Sequence, residues 1–225
     1  MPTPSGIEAA KLGTPESRGK DEHARYVREE WNKFHREGIP LQRLAARVVA
    51  SPRSVLDVGC GAGQELLPYL GARCVGIDLR RSGLVEGREL FGPRAPPFLI
   101  ASAEALPFEA GAFDVVLCRL ALPYMDVKCA LSEMARVLAR HGALVVQIHH
   151  LRYYLRRGLD GPLAVVHAAR VIARGAAFEL TGRQPQGEVF QLVGSTRRML
   201  MAVGLAVVEV DEADRGAPIV LATRR

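Results

Sequence analysis

The stretch that decides the fold is Val55-Leu56-Asp57-Val58-Gly59-Cys60-Gly61-Ala62-Gly63. An apolar strand runs into three alternating glycines and then into a helical segment. Glycine tolerates positive φ and lets a ligand approach the backbone closely. In an open α/β sheet such a first turn lies at the carboxyl edge, where ligands bind. Nineteen residues after Gly59 comes Asp78, closing the next apolar run, Val75-Gly76-Ile77-Asp78. An acidic residue there can accept hydrogen bonds from both hydroxyls of an adenosine ribose. A glycine loop alone is weak evidence; loop, spacing and acid together are much stronger.

Dinucleotide folds use G-x-G-x-x-G and present the helix start to a pyrophosphate. Here the order is D-x-G-x-G-x-G. A carboxylate two residues ahead of the first glycine repels phosphate and suits a cationic group, such as the amino group of a methionine moiety. That spacing disfavours a nicotinamide dehydrogenase. The bland alternative for Asp57 is a turn or helix cap.

Outward from the loop, short apolar runs alternate with amphipathic stretches. The runs cover 54–58, 74–77, 98–101, 113–118 and 143–148, with helical stretches at 63–70, 80–91 and 126–140. The runs lack strict polar alternation, as parallel strands covered on both faces do. The expected fold class is α/β: a Rossmann-like, doubly wound, mostly parallel seven-stranded sheet with an antiparallel last strand. Two helices are expected ahead of it, at 21–37 and 41–50. The first would bury Ala24, Val27, Trp31 and Phe34, with Tyr26 nearby. After His149 the rhythm breaks. Residues 151–194 read as an inserted helical lid, with a helix opening at Pro162 and running to about Phe178. A helix at 195–203 and a hairpin of 205–210 with 218–222 complete the chain.

The 225 residues suit one domain with appendages, at 21–225, behind a Pro-, Ser- and charge-rich tail at 1–20 read as disordered. Hydrophobic residues make up 48%, enough for a sizeable core. No apolar run approaches the ~20 residues of a membrane span, and the start lacks a signal-peptide core. The expected location is cytoplasmic. Cys60, Cys74, Cys118 and Cys129 lack metal-ligand spacing and read as packing residues in a reducing compartment; no metal is expected. The net charge of +6 is carried by arginine, since only four of 30 basic residues are lysine. Such a surface can attract nucleic acid or acidic substrates, or be merely solvated.

With these residues assembled, the chain resembles the class I S-adenosylmethionine-dependent methyltransferases, and within them the ubiquinone- and menaquinone-biosynthesis type. LDVGCGAG (56–63) matches the first motif and VGIDL (75–79) the acidic second. ASAEALPFEAGAFDVVLC (101–118) is similar to the third region and fourth strand, EMARVLARHGALVVQI (133–148) to the helix and fifth strand. The resemblance implies S-adenosylmethionine as cofactor, with S-adenosylhomocysteine as product. It implies that Asp57 contacts the cofactor's amino group, directly or through water. Gly59, Cys60, Gly61 and Gly63 would line the methionine part and Asp78 would hold the ribose. Leu79 would lie against the adenine, Ser102, Ala103 and Glu104 at its edge, and Arg119 beside the methionine part. Many relatives carry Asp where Ser102 stands. Arg119-Leu120-Ala121-Leu122-Pro123-Tyr124 lacks both the histidine segment of relatives and the N/D-P-P-Y of amine methylators.

Methyl transfer from a sulfonium requires mainly in-line placement of the acceptor. A general base, where one is needed, could be His149 or His150, which follow the fifth strand. Tyr124 could position the acceptor or simply pack, and Tyr153 and Tyr154 could wall a pocket. On the lid helix, His167, Arg170 and Arg174 share one face. Val165, Ala168, Ala169, Ile172 and Ala176 share the other, expected to pack. With Arg152, Arg156, Arg157 and Arg183, the first face could bind an anionic acceptor. The leading expectation is a methyltransferase acting on a small molecule. An RNA or other nucleic-acid methyltransferase and a non-catalytic S-adenosylmethionine-binding protein stay open beside it.

Overall fold

The computed structural model describes residues 25, 28–32, 34, 40–213 and 216–225. The expected tail, and Ala24, Tyr26 and Val27 of the first helix, lie outside the described residues. Of that helix, residues 25, 28–32 and 34 are helical, and Trp31 and Phe34 are buried as expected.

Seven strands form one sheet: β1 (Ser54–Val58), β2 (Arg73–Asp78), β3 (Phe98–Ile100), β4 (Phe113–Arg119), β5 (Leu138–Gln147), β6 (Leu205–Asp211) and β7 (Ile219–Arg224). Their order is β3-β2-β1-β4-β5-β7-β6. The first five pair in parallel, and β7 runs antiparallel to both β5 and β6. The chain steps from β1 outward to β2 and β3, then returns to β4 on the other side. The carboxyl ends of β1 and β4 therefore flank the switch point, where such sheets bind ligands.

Strand burial explains the missing polar alternation. Leu56, Val58, Val116, Cys118, Leu144 and Val146 belong to one apolar cluster. Val55, Val115, Leu117, Ala143 and Val145 belong to a second on the opposite face. Successive side chains point to opposite faces, and both faces are covered.

The helices are α1 (Pro40–Ala45), α2 (Arg81–Phe91), α3 (Val127–Val137), α4 (Leu151–Arg157), α5 (Pro162–Thr181) and α6 (Val193–Ala202). The stretch after the glycine loop is a 3-10 segment, Gln64–Tyr69, holding Pro68, which cannot donate a helical hydrogen bond. The helix expected to reach residue 140 stops at Val137. Leu138 is already extended and pairs with Phe113 across a register shift, so β5 begins five residues earlier than its apolar run suggests. Asp126 caps α3 by accepting the Cys129 N–H at 3.0 Å.

The 151–192 segment is a helical hairpin. α5 ends at Thr181 rather than Phe178, where Gly182 adopts φ 66°. Its packed face also differs from the expected one. Ala168, Val171, Gly175 and Phe178 are buried, while Val165, Ala169 and Ala176 are exposed. The small Gly175 decides this. A Cβ there would sit 2.2 Å from the Phe190 ring, so the helix lies flush on Phe190 along that line.

Candidate active site

At the carboxyl ends of β1, β2 and β4 lies a cavity of about 580 Å³, within the range of about 300–1,000 Å³ usual for small-molecule sites. Gly59, Cys60 and Gly61 form its floor, Asp78 and Leu79 one wall, Ser102, Ala103 and Glu104 another, and Arg119 and Tyr124 the far end. Nine of the eleven residues expected at the cofactor thus border one space. The other two are close by. Gly63 caps the 3-10 segment behind the loop, against Phe98. Asp57 lies beneath the floor, 1% exposed.

The loop is shaped by close contacts. Gly59 has φ 69°, and a Cβ on it would meet the Ala121 Cβ at 2.4 Å. On the other side α2 presses against the loop through Gly87, where a Cβ would stand 2.5 Å from the Ala62 carbonyl oxygen. Asp78 is held by backbone. Its Oδ2 accepts the Gly61 N–H at 2.9 Å and its Oδ1 the Arg80 N–H at 2.8 Å. Each carboxylate oxygen keeps acceptor capacity for a hydroxyl. The Ser102 hydroxyl accepts the Glu104 N–H at 3.2 Å, and Glu104 Oε1 accepts the Asp126 N–H at 2.8 Å, tying this wall to the start of α3.

The electrostatics are set by residues that sequence reasoning passed over. Arg119 Nη2 pairs with Glu30 Oε2 at 2.9 Å, and its Nε approaches Glu65 Oε1 at 3.5 Å. Glu30 brings the first helix to the cavity. Arg28 of the same helix pairs with Glu86 and Glu89 on α2, and Trp31 packs edge-on to Phe91. Glu65 is 2% exposed, and burial raises its carboxyl to about 7, with the Arg119 charge opposing and Glu30 adding to the rise. Burial likewise raises Asp57 well above its ordinary value, with Glu65 adding to the rise. Asp57 Oδ1 and both Glu65 oxygens are buried without a hydrogen-bond partner. A signal for Glu65 was present: an acid directly ahead of the apolar pair Leu66–Leu67 that follows the loop. Leu120 also borders the cavity, in a left-handed conformation (φ 55°) uncommon for a side-chain-bearing residue.

The histidines part company. His149 is buried, stacks on Tyr153 at 4.2 Å and has Nδ1 within 3.4 Å of the Tyr154 hydroxyl. That hydroxyl donates to Glu188 Oε1 at 2.6 Å, and Glu188 Oε2 lies 3.1 Å from His167 Nε2. Burial pushes His149 down to about 4. It does not line the cavity. His150 is the N-cap of α4, its Nδ1 accepting the Arg152 N–H at 3.3 Å. Its ring nitrogen thus serves the helix, and His150, like His149, does not border the cavity.

Fold and site together define a Rossmann-like domain built to hold an adenosyl group. Residues 56–146 match the family model described as a methyltransferase domain. An uncharacterised methyltransferase of Bacillus subtilis is 36% identical over 104 residues, 43% of this chain and 40% of its own length. A demethylmenaquinone methyltransferase of Thermus thermophilus is 38% identical over 103 residues, 43% of this chain and 47% of its own length. The chain spans about half or less of these curated relatives. An S-adenosylmethionine-dependent methyltransferase structure from Mesorhizobium loti has the same fold, with a TM-score of 0.61, 21% identity and coverage of 82% of this chain and 96% of its own. Residues 56–146 match a methyltransferase domain, and the chain is similar to class I S-adenosylmethionine-dependent methyltransferases, those of the ubiquinone and menaquinone type among them. Family and fold imply S-adenosylmethionine as cofactor, and the residues fit it. Buried carboxyl oxygens without a hydrogen bond at Asp57 and Glu65 suit a cationic group, and Asp78, on the cavity wall, keeps acceptor capacity for hydroxyls. Among the described residues no helix is long and apolar enough to cross a membrane.

Proposed function

We propose that the chain transfers the methyl group of S-adenosylmethionine to a small-molecule acceptor that binds beside Tyr124. The bound cofactor supplies an activated methyl. The protein's residues do the rest by placement. Asp78 accepts the ribose hydroxyls, Leu79 covers the adenine, and Ser102, Ala103 and Glu104 meet its edge. Glu65 faces the cationic part of the methionine moiety, Asp57 supports it from below, and Arg119 takes the carboxylate. Tyr124, 63% exposed at the cavity's end, orients the acceptor. His149, neutral at physiological pH, braces Tyr154 and the hairpin, and His150 caps a helix.

The observation that carries this reading is a backbone-held Asp78 on the cavity wall, with the buried carboxyls of Asp57 and Glu65 close behind the glycine loop and Asp57 Oδ1 and both Glu65 oxygens lacking a hydrogen bond. The test is calorimetric titration with S-adenosylmethionine and S-adenosylhomocysteine, beside an Asp78→Ala control. Micromolar binding, about −8 kcal/mol, that the control loses is the expected result. A folded protein that binds neither ligand overturns the reading and favours a non-catalytic role for the fold.

A further inference from the structure

The helical hairpin carries an exposed apolar surface outside the cavity described above. Leu155, Leu159, Leu163, Val165 and Val166 are exposed by 54%, 85%, 88%, 53% and 48%, all within the twelve residues around the turn between α4 and α5. Single exposed leucines are ordinary; a run of them at the tip of a projecting element is not. The same element is strongly basic. Residues 151–181 hold five arginines (Arg152, Arg156, Arg157, Arg170, Arg174) against two acidic residues, Asp160 and Glu179. Arg152 and Arg156 are exposed on α4 beside the leucines. A second copy of the chain would bring this positive charge against its like. An anionic bilayer complements both properties: the leucines enter the acyl boundary and the arginines meet the headgroups. The charges within α5 and the absence of a membrane-crossing helix among the described residues fit an interfacial contact, not a span.

We propose that the tip of the α4–α5 hairpin is a docking surface for anionic membranes. The hairpin stands next to the cavity. Its return segment donates the Val189 N–H to the Pro123 carbonyl at 3.1 Å, on the turn that carries Tyr124. Docking therefore sets the membrane beside the acceptor end of the site. The surface itself does not depend on the reaction assigned above.

Co-sedimentation of the full chain with vesicles tests this, using phosphatidylcholine alone and phosphatidylcholine mixed with phosphatidylglycerol. Binding is expected only to the mixed vesicles, and it should weaken as salt screens the arginines. The Leu159→Ser/Leu163→Ser variant should lose roughly tenfold or more of that affinity, and Arg152→Glu/Arg156→Glu a comparable amount. Leu180→Ser, 87% exposed at the far end of α5, should change nothing. All these side chains are exposed, and unchanged circular dichroism and cofactor titration verify the fold and separate this test from that of the proposed function. No binding to anionic vesicles, or equal loss in Leu180→Ser, overturns the proposal. So does a dimer in the ultracentrifuge that Leu159→Ser/Leu163→Ser converts to monomer, which assigns the surface to a second copy.

Discussion

The glycine-loop edge borders the cavity and the 151–192 hairpin packs beside it on the turn that carries Tyr124, yet the two are held in different ways. At the loop edge, functional side chains hang from strand ends. Asp78 ends β2 and Arg119 ends β4, and backbone donors or ion pairs fix each of them. Parallel pairing across β1, β2 and β4 fixes their separation. The hairpin meets the sheet's core through Phe178 and Val189 and through one bridge, His150 with Gln191, and keeps a small cluster of its own, Tyr154, Ala168, Val171 and Phe190. The lesson concerns independence. A site built on a shared sheet responds to substitution at the ligand, whereas a satellite with its own small core can loosen without the sheet.

Asp78→Ala should give the largest departure. It removes a charged acceptor for two ribose hydroxyls, and each such bond contributes about 1.5–3 kcal/mol. Cofactor affinity should fall at least about a hundredfold by calorimetry while the melting temperature moves little. Glu188→Ala, on the hairpin, should do the reverse, lowering thermal stability and sparing cofactor affinity. Equal loss of affinity in both variants would break the comparison.

Next in size is a pH-dependent gain at the loop edge. Glu65 rises from 4.5 to about 7 on folding, so between these values the native state holds a proton that the unfolded chain has released. The group's favourable contribution is complete below about pH 4.5 and is lost as pH rises through about 7. Glu65→Gln should therefore stabilise the protein by up to about 3 kcal/mol at pH 8 and have almost no effect at pH 4.5. It should also weaken cofactor binding, because the cation loses a carboxylate. Denaturant melts at the two pH values check the sign. A destabilised variant at pH 8 would mean that the Arg119 pairing outweighs the burial.

Gly175→Ala sharpens the contrast from the hairpin side. Its Cβ would meet the Phe190 ring at 2.2 Å, and Phe190 is itself buried. Overpacking of this kind costs about 1–3 kcal/mol. Hydrogen exchange should quicken across α4 and α5 while β1, β2 and β4 keep their protection. Faster exchange throughout the sheet would show that the hairpin is not a separate unit.

These differences also explain what was legible in the sequence. The loop, Asp78, Leu79, Ser102–Glu104 and Arg119 could be placed because strand ends in a parallel sheet meet at one edge, so spacing along the chain becomes position in space. Glu30 and Glu65 were not found. Glu30 reaches the cavity through a helix whose sequence shows only an apolar stripe, and Glu65 reads as a helix-surface charge until the 3-10 turn buries it. The packed face of α5 was misjudged because the helix is apolar around most of its circumference. Its burial is decided by Gly175 against Phe190, a tertiary contact without periodicity.

The smallest predicted effect separates two adjacent histidines that sequence alone treats as equals. His150→Ala removes one ring-to-backbone cap on a helix of seven residues. Stability should drop by about 0.5 kcal/mol, and methyl transfer should keep its rate. His149 differs because its neighbours bury it. Its folded value of about 4 lies below the ordinary 6.5, so it contributes stability that is complete above pH 6.5 and is lost as pH falls through about 4. His149→Gln should flatten acid destabilisation in that window, and His150→Ala should leave it intact. If His150→Ala slowed methyl transfer with the fold unchanged, the cap would be a catalytic group after all, and the hairpin would belong to the chemistry as closely as the glycine loop does.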